Sequence, residues 1–182
     1  MILSDGEIMT LYRSGKREEA FNALVDTYKE RLYWHIRRLT CSHEDADDLL
    51  QETFVKIWTS LDSFREESRL YTWVYRIATN ETLNFLRKKK VRSMLAFAAP
   101  LDETLCKKID DDPYFNGNEV QRHLHKAVQK LPPKQRTVFL LRYFDNLSYD
   151  DISRITGTSS GSLKASYHHA YIKIKAELEK YF

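Results

Sequence analysis

The feature of this sequence that most constrains its fold is the recurrence of apolar residues at helical spacing. One stripe runs from Phe21 to Leu39, a second from Ala46 to Leu61, and a third from Leu70 to Leu86. Apolar residues three and four positions apart lie on one face of an α-helix. These stretches therefore predict three helices that bury a shared core.

Composition excludes several other classes of protein. The 182 residues include only five glycines and four prolines, too few for the many turns of a β-sandwich or barrel. The two cysteines, Cys41 and Cys106, lack C-x-x-C spacing, which argues against a disulfide framework or a structural zinc site. No apolar run reaches the length of a membrane span, and the N-terminus lacks the features of a secretion signal. We therefore expect a cytoplasmic protein.

Residues 91–118 show no sustained periodicity. They contain Pro100, Pro113 and Gly117, together with three consecutive aspartates at 110–112. A segment of this length and composition is typical of a linker. We predict an all-α fold of two small helical domains, residues 1–90 and 119–182, joined by a flexible linker over 91–118. Such a linker would allow the two domains to close on each other.

The C-terminal segment has the pattern of a helix-turn-helix. Pro133 can open one helix, and Ser148 followed by Asp151 has the spacing of a capping box at the start of the next. Gly157 is placed to end that second helix in a left-handed cap. The pattern indicates DNA binding through the last helix, although any hairpin of two helices can look the same.

Motifs in both halves resemble those of the extracytoplasmic-function (ECF) group of sigma-70 factors. The first half resembles region 2, in Asp45 to Trp58, Leu61 to Arg65 and Tyr71 to Asn80. The second half resembles region 4, in Leu131 to Arg136, Leu147 to Ile152 and Gly161 to Ala170. The resemblance covers roughly residues 8–90 and 118–180, with the order and spacing of the motifs preserved.

This resemblance implies a sigma factor, a subunit without catalytic activity that directs promoter recognition, DNA melting and transcription initiation. The implied partners are the β′ clamp and β flap of core RNA polymerase, promoter DNA and an anti-sigma factor. No cofactor, metal, small-molecule substrate or direct membrane insertion is expected. An acidic helix face suits the basic surface of a partner. The residues expected to bind polymerase are Asp45, Asp48, Gln51, Glu52 and Lys56.

Region 2 is also expected to bind the −10 promoter element. In the family, a polar loop captures a flipped base, and asparagines on the following helix contact DNA at some cost in helix propensity. Basic residues at the end of that helix supply charge for phosphates. The expected contacts are Ser63, Phe64, Arg65, Ser68, Tyr75, Arg76, Asn80, Asn84, Arg87 and Lys88.

Region 4 is expected to bind the −35 element. Many family members carry arginine where this chain has Ser166, His169 and Tyr171, so we expect weaker affinity or a different sequence preference. The adjacent histidines 168 and 169 point about 100° apart on a helix, which disfavours a metal site. The expected DNA contacts are Arg136, Arg142, Ser160, Gly161, Ser162, Lys164, Ala165, His168 and His169. Val138, Leu141 and Phe144 are expected in the core, where one of them could also line a groove for the β flap.

Two other kinds of function account for part of the sequence. An ordinary helix-turn-helix regulator would bind duplex DNA without polymerase, but it does not account for the Asp47-to-Glu52 and Trp73-to-Asn80 motifs. An enzyme acting on nucleic acid would need a paired nucleophile and base, a glycine-rich phosphate loop or metal-ligand spacing. The sequence shows none of these patterns.

Overall fold

Local signals set where several helices begin and end. In the computed structural model, which describes residues 2–96 and 101–182, Ser42 accepts a hydrogen bond from the Asp45 N–H and Ser148 from the Asp151 N–H. Pro133 is the first residue of its helix. Gly157 ends its helix at φ +70°, a left-handed conformation that glycine adopts freely. These sequence predictions are confirmed.

The fold of the described residues is all-α, as predicted, and contains no strand. The helices are α1 (Asp5–Arg13), α2 (Arg17–Thr40), α3 (His43–Ser60), α4 (Leu70–Leu95), α5 (Leu101–Asp111), α6 (Pro113–Asn116), α7 (Glu119–Gln129), α8 (Pro133–Tyr143), α9 (Tyr149–Thr156) and α10 (Ser160–Leu178). A 3₁₀ turn, Leu61–Ser63, follows α3. Within the described ranges, no helix has both the length and the apolar character that crossing a bilayer requires.

Helices α1–α4 form an N-terminal unit around a core in which Tyr28, Ile36, Ile57 and Val74 are fully buried. Trp73 also belongs to this core, as its spacing predicts, and its ring lies 5.1 Å from that of Phe64. Helices α7–α10 form the C-terminal unit, which contains the helix-turn-helix of α9 and α10.

The segment expected to be a linker contains more helix than its sequence pattern predicts. Helix α4 continues to Leu95, and α5 and α6 lie within the rest of the segment. Leu105 and Ile109, one turn apart on α5, are buried together with Phe115 and Cys41. Burial of this small apolar face accounts for the helix. Pro100, one basis of the linker prediction, lies outside the described residues.

The two units pack directly against each other. Leu141 of α8 and Ile152 of α9 are buried in the same cluster as the core of the N-terminal unit. Leu39 of α2 and Leu86 of α4 are buried in turn among apolar residues of the C-terminal unit. We call this packing the closed arrangement.

Two carboxylates, Asp145 and Asp151, supply the main polar contacts of the closed arrangement. Asp145 lies between α8 and α9, and its oxygens are 2.7 Å from His35 Nδ1 and 3.2 Å from an Arg38 guanidinium nitrogen. The other nitrogen of His35 is 2.9 Å from the Thr79 hydroxyl. His35 and Arg38 of the N-terminal unit are therefore both paired with Asp145 across the interface.

Asp151, on α9, contacts the start of α4. Its carboxylate accepts hydrogen bonds from the hydroxyls of Tyr71 and Thr72, and from Ser148 of its own helix cap. Partial burial raises the pKa of this carboxyl, but the three hydrogen bonds outweigh burial and hold the pKa below its usual value. The closed arrangement therefore favours the ionised form of Asp151.

Candidate polymerase and nucleic-acid interfaces

The polar face of α3 presents a continuous exposed surface, which we call the α3 face. Asp48, Gln51, Glu52 and Lys56 line one shallow depression, as their spacing predicts. Val55 also lines it and is 63% exposed. An exposed aliphatic side chain within a charged rim is typical of a protein interface. Val55 is not among the residues predicted from the sequence, although an apolar residue outside the buried stripe of a helix can indicate a binding surface.

Asp45 differs from the other residues expected to bind polymerase. Its carboxylate is 2.6 Å from the Lys89 ammonium and 3.7 Å from that of Lys108, and its side chain is largely buried. It therefore joins α3 to α4 and α5 within the chain. Asp45 therefore does not belong to the exposed surface that was expected to bind polymerase.

The loop between the 3₁₀ turn and α4 combines exposed polar groups with one anchored aromatic ring. Ser63 and Arg65 are exposed, Ser68 is half-buried, and the Phe64 ring packs on Trp73. Arg154 of α9 donates a hydrogen bond to the Glu67 carbonyl at 3.3 Å. The C-terminal unit therefore touches this loop in the closed arrangement.

Four of the polar residues expected to bind DNA form an exposed line along α4, which we call the α4 line. Arg76, Asn80 and Asn84 follow one another at intervals of four, and Arg87 donates a hydrogen bond to the Asn84 side chain. Lys88 is exposed beside them. Amide and guanidinium groups in this array can bond to base edges and phosphates.

Tyr75 does not belong to the α4 line. It is 1% exposed, and its ring lies 5.3 Å from that of His35. The Arg31 guanidinium also lies over this ring, so α2 covers Tyr75, and the expectation that Tyr75 contacts DNA needs correction for this structure. The side chain serves the core instead.

The outer face of α10 is exposed, and Ser160 at its start is half-buried. The exposed residues are Gly161, Ser162, Lys164, Ala165, His168 and His169, all of which sequence analysis singled out. The two histidine rings are 6.2 Å apart. Leu163, Ala170 and Ile174 on the opposite side are buried, so the helix presents one face outward.

The two arginines of α8 have structural roles in this arrangement. Arg136 is only 5% exposed and donates hydrogen bonds to the carbonyls of Gln129 and Leu131, at the end of α7. Its expected contact with the DNA backbone is therefore wrong here, because the guanidinium caps a helix end. Arg142 is half-buried and donates to the Leu147 carbonyl at 2.8 Å.

The α4 line and the start of α10 face a common cleft between the two units. Asn80 and Arg87 lie on one wall, and Pro133 and Ser166 lie on the other. In the closed arrangement, the helices expected to bind two different promoter elements therefore lie on opposite walls of one cleft.

Comparison with known proteins identifies the family. A model of sigma-70 region 2 matches residues 24–92, and one of sigma-70 region 4 matches residues 121–174. The ECF RNA polymerase sigma factor SigW of Bacillus subtilis is 32% identical to this chain, covering 88% of the chain and 90% of the relative. The ECF RNA polymerase sigma-E factor of Haemophilus influenzae is 30% identical, covering 97% and 96%.

The chain belongs to the ECF group of sigma-70 factors. It is a sigma factor that directs transcription initiation. The match to region 2 spans α3 and most of α2 and α4, while the match to region 4 spans α8, α9 and most of α7 and α10.

Solved structures share the fold of this sigma factor. The structure of CnrH in complex with the cytosolic domain of CnrY aligns with a TM-score of 0.70 and 22% identity, covering 98% of this chain and 99% of that chain. The sigma factor RpoE in complex with the anti-sigma factor NepR from Bartonella quintana aligns with a TM-score of 0.66 and 23% identity, covering 87% and 96%.

Proposed function

We propose that this sigma factor binds core RNA polymerase through the α3 face and reads the two promoter elements through the α4 line and α10. The proposal rests on where the exposed residues lie in the sequence. Every exposed residue of these three surfaces lies within one of the two segments that match sigma-70 regions. The resemblance stated from the sequence assigns β′ clamp and −10 contacts to the first segment and −35 contacts to the second.

The α3 face has the chemistry of a protein-binding surface. Asp48 and Glu52 give it negative charge, which complements a basic partner and speeds association. Val55 adds apolar area that becomes buried on binding. We assign this surface to the β′ clamp, and we assign Asp45 to holding α3 against α4.

The −10 element would be read by the α4 line together with the preceding loop. Capture of a base out of the stack costs a few kcal/mol, which contacts in the receiving pocket must offset. Ser63 and Arg65 are exposed and can supply hydrogen bonds, while Phe64 is held by Trp73. The α4 line would hold the adjacent strand.

The closed arrangement is incompatible with simultaneous binding of both elements. Positions −10 and −35 are about 25 base pairs apart, which is roughly 85 Å of B-DNA at about 3.4 Å per base pair. Asn80 of the α4 line and Ser166 of α10 line the same cleft. We infer that the two units separate when the promoter complex forms.

Separation would also expose the surface assigned to the β flap. Val138 and Leu141 of α8 are buried in a cluster shared with the N-terminal unit. Once the units part, these apolar side chains need a new partner, and a groove on α8 that accepts the flap would supply it.

An anti-sigma factor is a further proposed partner. The fold neighbours described above include a sigma factor crystallised with an anti-sigma factor, and a protein that binds both units could hold them away from polymerase. We place these events in the cytoplasm, where bacterial transcription takes place.

Reconstitution with bacterial core RNA polymerase tests the proposal. Transcripts initiated on sheared genomic DNA are sequenced with wild-type protein, with Glu52→Lys on the α3 face, and with Asn80→Ala on the α4 line. Lys107→Glu, an exposed α5 residue outside all three surfaces, is the control. We expect shared start sites with two upstream elements, loss of polymerase binding in Glu52→Lys, and loss of initiation with polymerase binding retained in Asn80→Ala.

Either of two other results would change the function assigned to these surfaces. If core polymerase gained no specific initiation while the protein alone bound duplex DNA tightly, an ordinary helix-turn-helix regulator would be the better description. If Asn80→Ala instead weakened polymerase binding and left start-site choice intact, the α4 line would belong to the protein interface.

A further inference from the structure

The cleft between the two units has the size and lining of a small-molecule site. Its volume is about 620 Å³, and Leu83 and Leu86 of α4 face Leu131, Val138 and Leu163 of the C-terminal unit across it. Pockets that bind small ligands typically measure about 300–1,000 Å³, are largely apolar, and often lie between domains. The cleft meets all three criteria.

The rim of the cleft is strongly cationic. Arg87, Lys90, Lys130 and Lys134 line it, and the described residues contribute no aspartate or glutamate to the lining. Lys130 is paired with Glu177 on α10. Lys90 and Lys134 are exposed and form no ion pair or hydrogen bond within the described ranges. Two unpaired ammonium groups beside an apolar floor complement an anionic amphiphile.

We propose that this cleft binds a free single-chain amphiphile with an anionic head group, such as a long-chain carboxylate. The alkyl chain would lie between the leucines of α4 and the apolar residues of α8 and α10. The head group would sit at Lys90 and Lys134. No contact assigned above to polymerase uses these two lysines. Val138 on the floor of the cleft belongs to the α8 surface assigned to the β flap, so the ligand and the flap would compete for it.

The size and charge of the cleft together favour such a ligand. Its volume falls within the range of small-molecule pockets, and a cationic rim beside an apolar floor matches a molecule with an anionic head group and one alkyl chain.

Binding in this cleft has a direct consequence for the closed arrangement. Both units line the cleft, so the ligand binds the closed arrangement and not the separated units. A ligand at about 100 times its Kd would favour the closed arrangement roughly 100-fold. The resulting inhibition of transcription rests on the proposed opening, whereas the binding itself does not.

Isothermal titration calorimetry of the full chain, without polymerase or DNA, tests the binding alone. The probe is sodium dodecanoate below its micelle concentration. Dodecanol and dodecyltrimethylammonium serve as ligands with the same chain and a neutral or cationic head group. We expect one equivalent of dodecanoate per chain, at least ten-fold tighter binding than either comparison ligand, and weaker binding of octanoate.

Matched variants localise the site. Lys90→Glu combined with Lys134→Glu should weaken dodecanoate binding at least ten-fold, whereas Lys107→Glu, which lies outside the cleft, should leave it unchanged. Equal binding by the double variant, no saturable binding, or equal affinity for the cationic amphiphile would each overturn the proposal. The proposal would also be overturned if dodecanoate did not bind and an acidic amphipathic peptide bound in a way that required Lys90 and Lys134.

Discussion

Asparagine in place of Asp145 should separate the two units. The Asp145 side chain is 3% exposed and contacts His35 and Arg38 of α2 across the interface. Asp145→Asn keeps the shape but removes the charge, which leaves the Arg38 guanidinium buried without an anion. Loss of one partner of a buried ion pair costs about 3–5 kcal/mol. We take the lower end, about 3 kcal/mol, because the amide retains one acceptor, and this shifts the closing equilibrium roughly 100-fold.

Small-angle X-ray scattering of the full chain measures this shift. A compact chain of 182 residues has a radius of gyration of about 16 Å. We expect the wild type near that value and Asp145→Asn several ångströms above it. Asp150→Asn removes an exposed carboxylate of α9 and serves as the control, with no expected change.

One scattering result would show that Asp145 does not hold the two units together. If Asp145→Asn, Asp150→Asn and the wild type all gave the same compact radius, the buried ion cluster would not hold the units together. Closure would then depend on apolar packing alone. Substitution of Leu141, which is buried in the shared cluster, would become the next test.

Asp151 and Gly157 supply two further predictions. The pKa of Asp151 is lowered by its hydrogen bonds from Ser148, Tyr71 and Thr72, so its stabilisation of closure is present above the pKa of the unfolded carboxyl and disappears as pH falls through the lowered one. Scattering should show an expansion of the wild type in acid, and Asp151→Asn should make that expansion smaller or move it to a different pH. An identical transition in the variant and the wild type would contradict this. Gly157→Ala should destabilise by about 1–2 kcal/mol in urea unfolding, because φ is +70° there. Gly6 lies inside α1, where an added Cβ would meet open space, so Gly6→Ala should stabilise the protein slightly. If the two substitutions had similar effects on unfolding, the left-handed backbone at Gly157 would not explain the result.

The parts of the fold that the sequence predicts depend on local chemistry. Ser42 and Ser148 cap the helices that follow them, Pro133 opens α8, and Gly157 ends α9. Each of these signals acts within about four residues, so no knowledge of tertiary packing is needed to interpret it. The exposed faces of α3 and α10 follow from the same helical periodicity.

The parts that the sequence does not predict depend on contacts between different helices. Tyr75 lies beside the exposed Arg76 on α4, and its burial arises from His35 and Arg31 of α2, which pack on its ring. Arg136 caps carbonyls at the end of α7, which periodicity cannot reveal. Asp145 looks like an ordinary turn residue, and its role arises from His35, 110 positions away in the chain.

The surface that closes the two units differs from the surface proposed for polymerase docking. Asp48, Gln51 and Glu52 remain exposed in the closed arrangement, whereas Asp145 and Asp151 lie at the interface between units. We infer that polymerase can bind the α3 face before the units separate. A change from 99% closed to 99% open needs about 5.5 kcal/mol of preferential binding. Specific duplex recognition typically provides about 4–10 kcal/mol over nonspecific binding, a range that includes this requirement. We infer that the promoter contacts proposed for α10, together with the flap contacts proposed for α8, open a chain that is already bound to polymerase.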